Sequence, residues 1–256
     1  KTSLIFMRLF KIILFNILFC FSLTVYSHNP EELVITEIEQ GQLTFENEQI
    51  AAEYNAALKR LHIRRLGAMS WQKQFSIFTK AGFEHIIPKG FDHILFILGL
   101  FFSYLNFRSL LLQVTAFTIA HSITLALAAI GLVRIPGTVV EPIIALSIVW
   151  IALENCLCKN PAKWRYLVVF SFGLIHGLGF ASVLSHYGLP KDNFISLLLA
   201  FNIGVELGQL SILMIAFLLI NLILNKSFQI DKIRIPASVI IGFIGLFWFI
   251  QRIVMI

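Results

Sequence analysis

The chain has 256 residues, 58% of them hydrophobic and 13% charged, with a mean hydropathy of +0.84, where an ordinary soluble domain is roughly 25% charged. So much apolar surface cannot be enclosed in one core and has to face lipid, which excludes a soluble globular protein. The net charge of +6 is scattered between apolar runs instead of forming a phosphate-tracking stripe, which excludes nucleic acid as a partner.

Near the start, Met7 is followed by Arg8, Lys11 and an apolar run from Ile12 to Val25, ending Val25-Tyr26-Ser27. A charged stretch, a short apolar stretch and small residues near a cut site read as a secretory signal peptide over residues 1–27. Cleavage after Ser27 leaves His28 as the mature N-terminus, outside the cytosol. Residues 28–82 then form a short extracytoplasmic polar region. Acids concentrate between Glu31 and Glu53, followed by Lys59, Arg60, Arg64 and Arg65. The region is too small for a core of its own. Trp71, Phe75 and Phe78, at steps of four and three, are expected on the apolar face of an amphipathic helix lying flat on the outer membrane surface.

Residues 83–256 hold six apolar segments, at 88–105, 109–132, 138–156, 165–186, 194–224 and 236–254, most near the roughly 20 residues that cross a bilayer. The expected fold is an all-α membrane protein, a polytopic bundle of six transmembrane helices behind the signal peptide. With the mature N-terminus outside, Arg108, Lys159, Lys163, Arg165, Lys226, Lys232 and Arg234 fall in cytoplasmic loops, and only Arg134 and Lys191 in outer ones, as the positive-inside rule requires.

Ionisable groups inside spans are costly unless they face the bundle interior and find partners, so each is a candidate site. The first span opens His85-Ile86-Ile87-Pro88-Lys89-Gly90-Phe91-Asp92-His93. Pro88 suits a helix start, which leaves His85 able to fold back over Asp92 and His93. These two point about 100° apart on a helix, so either both are ligands of an ion held between helices or one orients the other. The second span carries His121, with Ser122 and Thr124 beside it. The fourth carries Gly173-Leu174-Ile175-His176-Gly177, whose glycines allow close helix approach. On the fifth, Asn202 and Glu206 share a face, with Gln209 three residues further on. His85, Asp92, His93, His121, His176 and Glu206 are therefore the candidate metal ligands, supported by Asn202, Gln209 and Ser122. Imidazoles with carboxylates suit a borderline divalent transition metal, Ni, Co, Zn, Fe or Cu. No Lys or Arg is expected inside these spans to neutralise Asp92 and Glu206, which favours a metal or a proton.

Other candidates have plainer readings. Glu141, before Pro142, suits a helix N-terminus. Glu154 with Cys156 and Cys158 ends the third span, where Cys-x-Cys is either a soft-metal pair or two plain thiols. Cys20 lacks the small residues of a lipobox. His62 and His186 read as solvated loop residues.

The set His85 with Asp92-His93, then Ala120-His121-Ser122, His176-Gly177 and Phe201-Asn202-Ile203-Gly204-Val205-Glu206 resembles the HupE/UreJ family of hydrogenase and urease accessory membrane proteins, over roughly residues 83–256. Six residues separate His85 from Asp92 where the nickel permeases of that family have five, and one His-Gly pair stands where they have two, so the chain resembles its more divergent branch. The resemblance implies a multi-pass protein of the bacterial inner (plasma) membrane with an extracytoplasmic N-terminus. It also implies permeation of nickel or cobalt, with His85, Asp92, His93 and His176 recognising the metal.

Three functions fit the residues. A permease would draw a divalent ion from the outer face past His85, Asp92 and His93 to His121, His176 and Glu206, with no P-loop for ATP in sight. An intramembrane metal-dependent enzyme would use the same ligands with an open coordination position and Glu206 or Asp92 as general base. An electron-transfer or assembly partner would hold haem between His121 and His176.

Overall fold

Apolar runs interrupted by Pro, Gly and Asn fold into helices in the computed structural model, which describes residues 48–103, 105–158, 164–180, 193–223 and 231–254. In chain order these residues form α1 (Glu48–Gly67), α2 (Trp71–Ile86), α3 (Phe91–Ser103), α4 (Phe107–Ala129), α5 (Gly137–Leu157), α6 (Arg165–Gly179), α7 (Phe194–Ile223) and α8 (Asp231–Val254). No strand occurs among them. The expected signal peptide, the polar stretch up to residue 47, Lys159, Lys163, His186, Lys191 and Lys226 lie outside the described residues.

Local chemistry sets several boundaries. The Asn106 side chain accepts a hydrogen bond from the Ser109 amide at 3.0 Å and caps α4. Gly131, at φ +80° just beyond α4, adopts the left-handed conformation that glycine takes without strain. Between α2 and α3, Pro88 and Gly90 interrupt the helical run, and the two helices meet at 68°.

Three helix pairs build most of the interior: α2 with α7, α4 with α6, and α5 with α8; α3 lies among α5, α7 and α8. Small residues bring each pair together. Gly82 faces the Phe201 carbonyl and Gly204 that of Thr79; Gly173 and Gly177 face the carbonyls of Phe117 and His121; Gly245 meets Ile148. Close backbone approach through glycine is the main route to helix association where lipid removes the hydrophobic drive.

Among the described residues, four helices are long and apolar enough to cross a membrane, or five if the bent α2–α3 pair is one span. At 15 residues α6 is apolar but shorter, about 22 Å at 1.5 Å per residue. The stretch expected flat on the outer surface is α2. Its Trp71 is 58% exposed and its Phe78 1%, and the face with Gln74, Phe78, Gly82 and Ile86 is buried.

One basic residue of the expected cytoplasmic loops turns inward at the far end of the bundle. Arg165, counted with Lys159 and Lys163 as a topology-marking charge, is 2% exposed. Its Nε donates to Gln113 Oε1 at 3.1 Å, and its Nη1 donates to Ser103 Oγ and meets Glu154 Oε2 at 3.2 Å. An arginine at a helix start joins the interior here because three other helices supply a carboxylate and two acceptors. Glu154 accordingly meets a guanidinium. Cys156 is half-buried and Cys158 exposed.

Candidate metal centre

The interruption between α2 and α3 brings His85 to the cluster. Pro88 has no N–H to continue the helix, while the Gly90 amide reaches Ile86 O at 3.1 Å and that of Lys89 reaches Glu84 O at 3.2 Å, so the turn leaves these donors satisfied. A Cβ on Gly90 would strike the His85 carbonyl, and its third neighbour is His93 Nδ1. The bare glycine lets the chain fold tightly enough to lay His85 over His93, their ring centroids 4.8 Å apart. Opposite them, the close α4–α6 contact at Gly173 and Gly177 brings in His121 and His176.

Ligand atoms of His85, His93 and His121 all lie within 4.8 Å of one another. The His121 ring is 5.9 Å from that of His85 and 6.1 Å from that of His93, and His176 stands 4.9 Å from His93. Aromatic rings enclose the group. Phe180 approaches His85 at 3.9 Å and stacks on Phe201 at 5.1 Å, while Phe117 lies 5.0 Å from His176.

Hydrogen bonds fix which nitrogens are available. His93 Nδ1 donates to Asp92 Oδ1 at 2.9 Å, and His176 Nδ1 donates to the Phe172 carbonyl at 2.8 Å. With a carboxylate and a carbonyl as acceptors, both rings hold their proton on Nδ1 and offer Nε2 as a lone pair. Both Nε2 atoms are buried without a partner, as are His85 Nε2 and both ring nitrogens of His121. Asn202 lies against His121 and donates from Nδ2 to Leu198 O at 2.8 Å; its Oδ1 is buried and unpartnered.

The remaining sequence candidates are distributed around this group. Asp92 touches it through His93, and its Oδ1 also accepts the His93 amide at 2.8 Å. Ser122 donates back to Thr118 O at 2.6 Å. Glu206 lies outside the three-histidine group, and its Oε1 accepts from Thr115 Oγ1 at 2.7 Å. Gln209 Oε1 accepts from Thr118 at 2.9 Å.

Sequence reasoning passed over Thr115 and Thr118, although with His121 and Ser122 they recur every three or four residues along one face of an apolar helix, and that stripe was the available signal. It also missed Arg252, which lies within electrostatic reach of Asp92 and donates to Glu141 O at 2.8 Å. Asp92 is therefore not without a basic neighbour.

An all-helical protein with several apolar helices and a histidine group able to hold a metal ion defines the class as a multi-pass membrane protein with a metal-handling character. The chain matches the family described as HupE / UreJ protein over residues 60–252. It belongs to the HupE/UreJ family, which implies a membrane metal-handling accessory protein. No curated protein and no solved structure matches it.

Proposed function

We propose that the protein is a divalent transition-metal permease of the nickel or cobalt type, with the ion passing between His85, His93, His121 and His176. The observation that carries this reading is the set of buried imidazole nitrogens without partners. Each unsatisfied group costs roughly 1–3 kcal/mol, and a bound cation removes that cost. Metal–imidazole bonds of about 2.0–2.1 Å put tetrahedral ligand atoms about 3.4 Å apart. Ligand atoms within 4.8 Å of one another need only small ring movements to close on an ion. A site that closes on its ion and reopens suits transit better than permanent storage. Asp92 acts by holding the His93 ring and its tautomer. The spans are the α2–α3 pair, α4, α5, α6, α7 and α8, set in a bacterial inner membrane with the mature N-terminus outside.

Elemental analysis of the detergent-purified protein by mass spectrometry, wild type beside His176→Ala and before and after mild chelation, tests the site. Exchangeable metal in the wild type that disappears in the variant supports the permease reading, and its identity among Ni, Co, Zn, Fe and Cu names the cargo. Equal metal content in the two proteins removes His176 from the site. A second reading draws on the three-histidine group itself: three protein ligands with an open fourth position also describe hydrolytic metal centres. Stoichiometric metal that resists chelation would favour that intramembrane enzyme.

A further inference from the structure

Between Tyr54 and Phe83 the chain carries six basic residues, Lys59, Arg60, Arg64, Arg65, Lys73 and Lys80, and no acidic one. Arg60, Arg64 and Arg65 are exposed on α1, and Lys73 on α2. Among the described residues Lys80 pairs with Glu84 at 3.5 Å, whereas Arg60, Arg64, Arg65 and Lys73 meet no carboxylate. Helix electrostatics account for part of this pattern. Arg64 and Arg65 stand in the last turn of α1, where the helix dipole favours a cation. Arg60 lies further in, and Lys73 stands in the first turn of α2, where the dipole favours an acid. Their placement calls for a negative partner.

The packing of α2 fixes the depth at which these charges sit. Its contacts with α7 advance together along both helices: Gln74 with Asn193, Gly82 with Phe201 and Ile86 with Gly208. The two helices therefore run in the same direction. The stretch of α7 that is long and apolar enough to cross a membrane begins at Phe194, so Gln74, level with Asn193, marks the membrane boundary on α2. Lys73 lies beside that level, and Trp71 three residues outside it, about 4.5 Å along the axis. Trp71 is 58% exposed with Phe75 edge-on to it at 6.1 Å, the setting of a tryptophan among lipid headgroups. The end of α1 is joined to the same edge: Leu66 is 3% exposed, and Met69 O accepts from Gln74 Nε2 at 2.9 Å. Arg64 and Arg65 are thus held next to the boundary, with Arg60 one turn before Arg64.

We propose that Arg60, Arg64, Arg65 and Lys73, with Trp71 beside them, form a binding surface for anionic phospholipid headgroups of the leaflet they face. The phosphodiesters supply the negative charge that this part of the chain lacks. A guanidinium can take a phosphate through two parallel hydrogen bonds, and basic residues at a membrane surface are attracted to anionic lipid. The contact ties the end of α1 and the start of α2 to the membrane surface, and so sets the depth of α2, whose last turn carries His85. It requires the membrane setting alone and stands apart from the metal reading.

Native mass spectrometry of the full chain in detergent, with phosphatidylglycerol or phosphatidylcholine of the same acyl chains added, tests this surface. The wild type should retain phosphatidylglycerol in preference to phosphatidylcholine. Each basic residue at a membrane surface is worth roughly fivefold in affinity for anionic lipid, so Arg60→Gln, Arg64→Gln and Arg65→Gln combined should weaken phosphatidylglycerol retention by about 100-fold. Lys73→Gln, a single exposed change, should weaken it about fivefold and covers the case in which the triple variant fails to fold. Arg108→Gln, an exposed change beyond the far end of the α2–α3 pair, should leave it unaltered. Unchanged retention in both the triple variant and Lys73→Gln would overturn the proposal, as would a loss in Arg108→Gln as large as in the triple variant. Equal retention of the two lipids by the wild type would also overturn it, and would leave these charges to an acidic protein partner.

Discussion

The two ends of the bundle treat buried polar groups in opposite ways. Around Arg165, a guanidinium, a carboxylate, a carboxamide and a hydroxyl from four helices satisfy one another; of the arginine nitrogens only Nη2 is left without a partner. Around His93, ligand atoms of His85, His93 and His121 lie within 4.8 Å of one another, and buried nitrogens on these rings and on His176 have no hydrogen-bond partner. Buried groups in folded proteins are normally paired. The Arg165 end therefore reads as a structural tie, and the histidine end as a group able to hold a metal ion. The glycines sharpen the contrast. Gly90, Gly173 and Gly177 bring backbone close at the histidine end, which places rings precisely without supplying hydrogen-bond partners.

The largest expected effect belongs to the tie. Arg165→Ala should destabilise the protein by about 3 kcal/mol or more, because it takes the guanidinium from Glu154 and leaves the buried acceptors of Gln113 and Ser103 without their donor. Thermal unfolding in detergent, followed by circular dichroism, measures this. Arg165→Met combined with Glu154→Leu should recover part of the loss, since the pair then leaves together. A loss no greater than that for Arg60→Ala, a substitution at an exposed helix position, would mean that the tie holds nothing.

The same comparison explains what could be read from the chain beforehand. His93, His121 and His176 stand out because each is ionisable within an apolar run, and the spacing of Gly173 and Gly177 already marked a close helix contact. His85 was within reach of Asp92 and His93 by simple chain geometry. Arg165 was hidden by its position: it follows Lys159 and Lys163 at a helix boundary, where basic residues mark topology, and its partners Gln113 and Ser103 are 52 and 62 residues away. No local periodicity links positions so distant. Glu206 was grouped with the histidines because it is an ionisable residue inside an apolar span at a comparable depth. Which residue of a face meets a given partner depends on how two helices cross, and here Asn202 lies against His121 while Glu206 reaches Thr115.

An intermediate effect is expected at Asp92. Its carboxylate contacts His93 Nδ1 at 2.9 Å and so fixes the ring without being one of the grouped ligand atoms. Asp92→Asn keeps an acceptor for that proton and removes the charge. Removing such a supporting partner typically lowers metal affinity about 10–100-fold. Titration of the metal-stripped protein with nickel(II) or zinc(II), monitored calorimetrically, gives the ratio. The number of ions bound should stay the same; a variant that binds fewer would make Asp92 a ligand in its own right.

The smallest effect is the most diagnostic, because it should have opposite signs at the two ends of the bundle. His121 buries two ring nitrogens with no partner, among Phe117, His85 and His93. Replacing it with phenylalanine keeps a flat ring of similar shape and removes the unsatisfied groups. In metal-free protein His121→Phe should therefore leave the melting temperature unchanged or raise it slightly, the equivalent of up to about 1 kcal/mol. At a metal concentration of about 100 times Kd, wild type should gain roughly 2.7 kcal/mol from ligand linkage. The variant should gain much less. Truncation at Arg165 costs stability with or without metal, whereas substitution at His121 costs stability only when metal is present. If His121→Phe destabilised the metal-free protein as Arg165→Ala does, the histidines would be holding the fold together, and the distinction between the two ends would collapse.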